Sequence, residues 1–114
     1  MLVSDIKVLS ASEIATVLDR KEELYDVPEW GGPVLLRALS LSERDEMVKQ
    51  ATVDGKIDGQ RITILLVVSG IAEPKLTEAI IRERSFEVVD RLASKLMQLN
   101  GMNKEVALSV ARTF

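Results

Sequence analysis

The chain reads Pro28-Glu-Trp-Gly-Gly-Pro33, and no helix can run through those six residues. Each proline lacks the amide hydrogen that a helix interior needs, and its ring clashes with the preceding turn. The two adjacent glycines add a backbone freedom that a tight reversal uses and a helix does not. β-Prone residues flank the break, from Tyr25 before it and from Val34 to Ala38 after it. The pattern predicts a two-stranded hairpin, with strands at about 25–30 and 34–38 and the positive φ angles of its turn at Gly31-Gly32. Pro28 and Pro33 suit an exposed edge or a strand start, not a central strand. A hairpin alone is marginal in water, so this one must lie on other elements.

Those elements are helices. Ser10-Ala-Ser-Glu13 and Ser40-Leu-Ser-Glu43 both spell a capping box, in which serine and glutamate satisfy each other's backbone amides. The first opens a short helix with Ile14, Val17 and Leu18 as its stripe, ended by the charged run from Asp19 to Glu23. The second opens a helix to about Val53, with Met47, Val48 and Ala51 on one face. Asp54 to Gly59 predicts a loop. After Pro74, Thr77 can cap a short helix through about Arg84. From Ser85 to Asn100, Phe86, Val89, Leu92, Ala93, Leu96, Met97 and Leu99 recur at three- and four-residue spacing, and Asn100-Gly101 is a helix stop. Asn103 then caps a final helix reaching about Arg112.

Gln60 to Ala72 pulls two ways. Ile62, Ile64, Leu65, Leu66, Val67, Val68 and Ile71 are apolar nearly all round, and many are β-branched. Propensity favours a strand, but the run is longer than most strands, so a central buried helix is the better reading. The whole predicts a single domain of 114 residues in the α+β class, predominantly α: several short helices with one N-terminal hairpin at about 25–39. Trp30, Tyr25, Phe86 and Phe114 are its only aromatics, so the core must be aliphatic.

Composition argues against most chemistry. The sequence has no histidine, which removes the commonest general base and metal ligand, and no cysteine, which removes thiol chemistry and disulfides. Asp54-x-x-x-Asp58-Gly59 has the outline of a calcium loop, but Lys56 and Leu65 fall where ligands are required. No glycine spacing forms a phosphate cradle. The acids at Glu22/Glu23 and at Glu43, Asp45 and Glu46 read as solvated helix ends. With 15 basic against 18 acidic residues, net charge is −3, so nucleic acid is not an expected partner. No apolar run is long enough to span a bilayer, and no basic segment with an apolar run opens the chain, so neither membrane nor signal peptide is expected. These readings point to a non-enzymatic protein that binds other proteins, without a cofactor, in a reducing compartment.

One string is more specific. Val27-Pro-Glu-Trp-Gly-Gly32, then Val34-x-x-Arg37-x-Leu39-Ser40 and Glu43-Arg44-Asp45, resembles the tail assembly chaperones of long-tailed bacteriophages and prophages. The lead-in Ser10 to Ile14 and the late segment Leu92-Ala-Ser-Lys-Leu96 running to Gly101 are similar too. The resemblance implies a chaperone in phage tail morphogenesis, working in the host bacterial cytoplasm. It would bind the long helical tape-measure protein and help recruit tail-tube subunits; self-association into rings would suit coating so long a partner. The alternatives are a head-tail or tail connector retained in the virion, and a small helical adaptor. Candidate contact residues are Tyr25, Pro28, Trp30, Gly31, Gly32 and Arg37, since Trp and Tyr are favoured interface anchors. The rival reading makes Trp30 a staple that fixes the hairpin to the helices. Met47, Met97 and Met102 could be adaptable contacts or core.

Overall fold

The computed structural model describes residues 6–102, so the helix expected from Asn103 lies outside the described residues. The fold is mixed α+β, built from five α-helices and five strands among those residues. Both capping boxes form: Ser10 accepts from the Glu13 amide and Ser40 from the Glu43 amide, each glutamate reaching back. They open α1 (Ala11–Ala15) and α2 (Leu41–Ala51).

The hairpin is present, but its turn is not where the glycine pair suggested. Its strands are β1 (Glu22–Val27) and β2 (Gly32–Arg37), and Pro28–Trp30 form a single 3₁₀ turn between them. Only Gly31 takes a positive φ, +90°, as the left-handed cap of that turn; Gly32 already begins β2. Proline explains the shift. Its fixed φ suits the first position of a helical turn, so the reversal starts at Pro28 and takes Trp30 with it. The charged run at Glu22-Glu23 ends no helix but opens β1, and α1 has already stopped at Ala15.

The sheet is also larger than a hairpin. A third strand, β5 (Ile71–Glu73), pairs antiparallel with β2, giving the order β1-β2-β5. Pro33 therefore sits in the middle strand without breaking it. The Ala38 amide donates to the Lys21 carbonyl, and hydrogen-bonded pairs alternate along an antiparallel ladder. Pro33 opposite Asp26 is thus a non-hydrogen-bonded pair, and β5 reaches only Leu35 and Leu36. No ladder bond needs the missing amide.

Gln60 to Ala72 proves to hold both answers. Asp58 caps α3 (Gly59–Gly70) by accepting from the Gln60 and Arg61 amides, and Ile71-Ala72 then turn into β5. Ile64, Leu65, Leu66 and Val67 are all buried, because α2, α4 (Glu78–Arg82) and α5 (Phe86–Leu99) pack around the helix. Burying each such side chain is worth about 1.5–3 kcal/mol. A β-branched residue gives up at most about 0.7 kcal/mol of helix propensity. Burial wins, and the run is helical. The loop expected at Asp54 to Gly59 contains a small hairpin, β3 (Thr52–Val53) with β4 (Lys56–Ile57), turned by Asp54 at φ 51° and Gly55 at φ 77°. It shortens α2 to Ala51, and the Asp58 amide closes the excursion on the Ala51 carbonyl at 2.8 Å.

The amphipathic helix α5 (Phe86–Leu99) crosses α3 and buries Val88, Leu92, Ala93 and Leu96. Gly101 follows it at φ 73°, as the Asn-Gly stop predicts. Asn100 then ties distant parts together: its Oδ1 accepts from the Leu39 amide at 2.8 Å and its Nδ2 donates to the Leu96 carbonyl at 2.7 Å. Met47 is buried and Met97 packs on the core, so both serve packing.

Among the glycines, only Gly70 at the end of α3 has a neighbour where a side chain would begin. A Cβ there would run into Leu96 Cδ2 and stand 2.6 Å from Cδ1, and Leu96 is itself fully buried. Gly70→Ala should therefore cost about 1–3 kcal/mol through overpacking, read by urea unfolding. Combined with Leu96→Ala it should cost less than the sum of the two, because one removes the clash the other makes. An unaltered stability for Gly70→Ala would contradict this packing.

Candidate protein-binding surfaces

Two charged contacts fasten the hairpin to α5. Arg91 donates from Nη1 to Glu29 Oε2 at 2.9 Å and from Nη2 to Oε1 at 2.6 Å, a bidentate pair. One turn on, Lys95 Nζ lies 2.7 Å from Glu23 Oε2 and 5.9 Å from the centre of the Tyr25 ring. The sequence explains the placement. Arg91 and Lys95 are four apart, on one edge of the stripe that buries Val88, Leu92 and Leu96. The hydrogen bonds from Arg91 hold the Glu29 carboxyl below its ordinary range, and the same pair raises Arg91. At Glu43, burial pushes the carboxyl up, but its bonds with Ser40 and the nearby Arg20 outweigh that and leave it lowered. All three shifted groups hold elements together. Among the described residues, no polar or charged side chain is buried.

The six candidate contact residues do not form one surface. Tyr25 and Trp30 are half-buried and pack against the core, which is the placement of a staple. Pro28 and Gly31 are exposed at the tip, and Gly32 is half-buried beside them. Arg37 lies at the other end of β2, on the outer face, 3.5 Å from Glu22. The tip and Arg37 belong to different surfaces.

The exposed apolar groups lie elsewhere. Phe86, expected on the buried stripe of α5, is 85% exposed. It sits on the stripe's flank in the first turn, where three- and four-residue spacing counts it as core although no described residue covers it. Phe86 and Val89 line an open groove of about 430 Å³ with Ile81 of α4 and Thr63 and Ile64 of α3, and Gln60, Arg82, Arg84 and Asp90 complete its lining. Ile80, next to Ile81 in the chain, is 44% exposed. A groove that mixes an exposed aromatic with aliphatic and charged side chains can receive an amphipathic partner helix. No residue of this groove was singled out by the sequence as a contact. The signal was present in one form only: a bulky aromatic directly after the Ser85 cap.

No helix among the described residues is long and apolar enough to cross a membrane. No family model matches the chain, and no curated protein matches it. The crystal structure of the protein YqbN is similar in fold, with a TM-score of 0.60 at 17% identity, over 85% of this chain and 100% of that one. At that identity the likeness speaks for the fold alone.

The Glu29–Arg91 pair makes a pH prediction. A carboxyl with a lowered folded-state pKa favours the fold at neutral pH, and that contribution disappears as pH falls from the ordinary 4.5 through the lowered value. Protection of the hairpin-tip amides, taken relative to the intrinsic exchange rate at each pH, should therefore fall on acidification across that window. Glu29→Gln should bring the reduced protection to neutral pH and flatten its pH dependence. Because the pair is exposed, the global melting temperature should move little. A tip that exchanges identically in both proteins would contradict the tie.

Proposed function

We propose that this chain is a tail assembly chaperone of the long-tailed phage type: a non-enzymatic protein that covers apolar stripes of a helical tape-measure protein before the tail tube forms. The observation that carries the reading is the groove at Phe86. A large aromatic held in water at a groove it shares with Ile64, Ile81 and Val89 is an exposed apolar surface, and an amphipathic helix is a partner whose shape and chemistry suit it. The resemblance of Val27-Pro-Glu-Trp-Gly-Gly32 and the segments after it supplies the identity of that partner. Trp30 has an indirect part in this reading. It holds the hairpin on the body while Glu29 fixes Arg91 on α5, the helix that presents Phe86. Recruitment of tail-tube subunits and action in the host cytoplasm belong to the same reading.

The test is co-expression with the large protein encoded just downstream, which this reading expects to be long and helical, followed by solubility and pull-down assays. Phe86→Ser should leave the melting temperature within a few degrees, because the side chain is exposed, and should weaken binding by about 2 kcal/mol or more, as loss of an aromatic anchor does. Trp30→Ala should lower the melting temperature instead. If Phe86→Ser binds as well as the parent while Trp30→Ala folds normally and loses binding, the contact surface is the hairpin tip. If the neighbouring protein is soluble alone and binds neither form, the chaperone reading is wrong.

A further inference from the structure

We infer that residues 6–10 of one chain add as a strand to the free edge of β1 in a second copy of this chain. Every residue from 6 to 20 is exposed, yet Ile6, Val8, Leu9, Ile14, Val17 and Leu18 are apolar, with Val8 at 80% and Leu18 at 99% exposure. The five-residue α1 within this arm is far too short to be stable on its own capping box. Something must cover such a segment, and its own body does not.

The body offers an edge of matching character. β1 is the outer strand of the sheet, and no described strand pairs with its far side. The Ala38–Lys21 hydrogen bond sets the alternation, so Glu23, Tyr25 and Val27 bond toward β2. The amides and carbonyls of Glu22, Leu24 and Asp26 are left facing outward. On the outer face, Leu24 is 71% exposed opposite Leu35. The edge carries three acids and no base, while the arm from Ile6 to Ser10 carries one base and no acid.

One antiparallel register brings every position into agreement. With Leu9 opposite Leu24, Lys7 falls opposite Asp26 on the outer face. Val8 then falls beside Tyr25, and Ile6 beside Val27, on the face toward the helices. A shift of one residue puts Lys7 against Tyr25 and Ile6 against Asp26, and a shift of two puts Lys7 against Leu24. Cross-strand pairs of like character stabilise a sheet, and mismatched ones do not. In this register the arm pairs up to the Ser10 cap, where α1 begins. Two copies can exchange arms reciprocally, which closes the contact as an isologous pair.

The chain's lack of cysteine makes the test direct. Leu9→Cys and Leu24→Cys are made in separate chains, one carrying a size tag, then mixed and oxidised mildly. Both side chains are exposed, so neither change should harm folding, and thermal melting checks this. The expected product is the mixed disulfide dimer, in clear excess over either like-with-like dimer, since directly opposed strand positions meet the geometry of the bond. Lys7→Glu should weaken self-association about fivefold by placing like charges opposite each other, measured by analytical ultracentrifugation. The inference is overturned if the mixed dimer forms no faster than the like dimers. It is equally overturned if a chain carrying both changes closes on itself as a monomer, which would put the arm on its own edge.

Discussion

The fold depends on one requirement: the middle of α3, from Ile64 to Val67, must be buried on every side. Its residues Ile64 to Val67 leave no polar face to turn toward water, so the helix can exist only with α2, α4 and α5 around it. The rest of the architecture follows. The close pass of α5 needs Gly70, since any side chain there would enter Leu96. The chain must leave the buried helix at once, and β5 does so by joining β2 and bringing the hairpin against the same core. Asn100 then locks the far end of α5 to the start of α2 through the Leu39 amide.

With so much apolar surface used inside, the apolar side chains left outside become informative. Phe86 and the arm from Ile6 to Leu18 stay outside while Leu36, Ile71, Leu92 and Leu96 are fully buried in the same fold. They lie on different elements, the start of α5 and the N-terminal arm. One suits a partner helix and the other a strand edge. A chaperone of the proposed kind would use surfaces of both kinds, while the charged pairs Glu29–Arg91, Glu23–Lys95 and Glu43–Arg20 join elements of the fold.

Much of this was legible in the residues. Both capping boxes, the buried helix, the amphipathic α5 and its Gly101 stop were written in local patterns that need no tertiary knowledge. What escaped depended on long-range contact. Three residues of β5 are too few to show a period, and they become a strand only because β2 lies alongside. The Asp54-Gly55 turn was readable in principle, but two-residue strands give it no flanking pattern. Gly31-Gly32 suggested a turn of two positive φ angles, and the competing demand of Pro28 moved it. Of the candidate contacts, Tyr25 and Trp30 turned inward to the core. Phe86 turned outward because helical spacing fixes the side of a residue and not whether a neighbour reaches it.

Hydrogen exchange of the isolated protein tests the central claim, that one chain seals α3 by itself, most directly. The amides of Leu65, Leu66 and Val67 should be the slowest in the molecule, with an opening free energy equal to that of global unfolding in denaturant. Exchange of those amides through a cheaper, local opening, faster than that of α5, would contradict it, and the core would then need a partner to be complete.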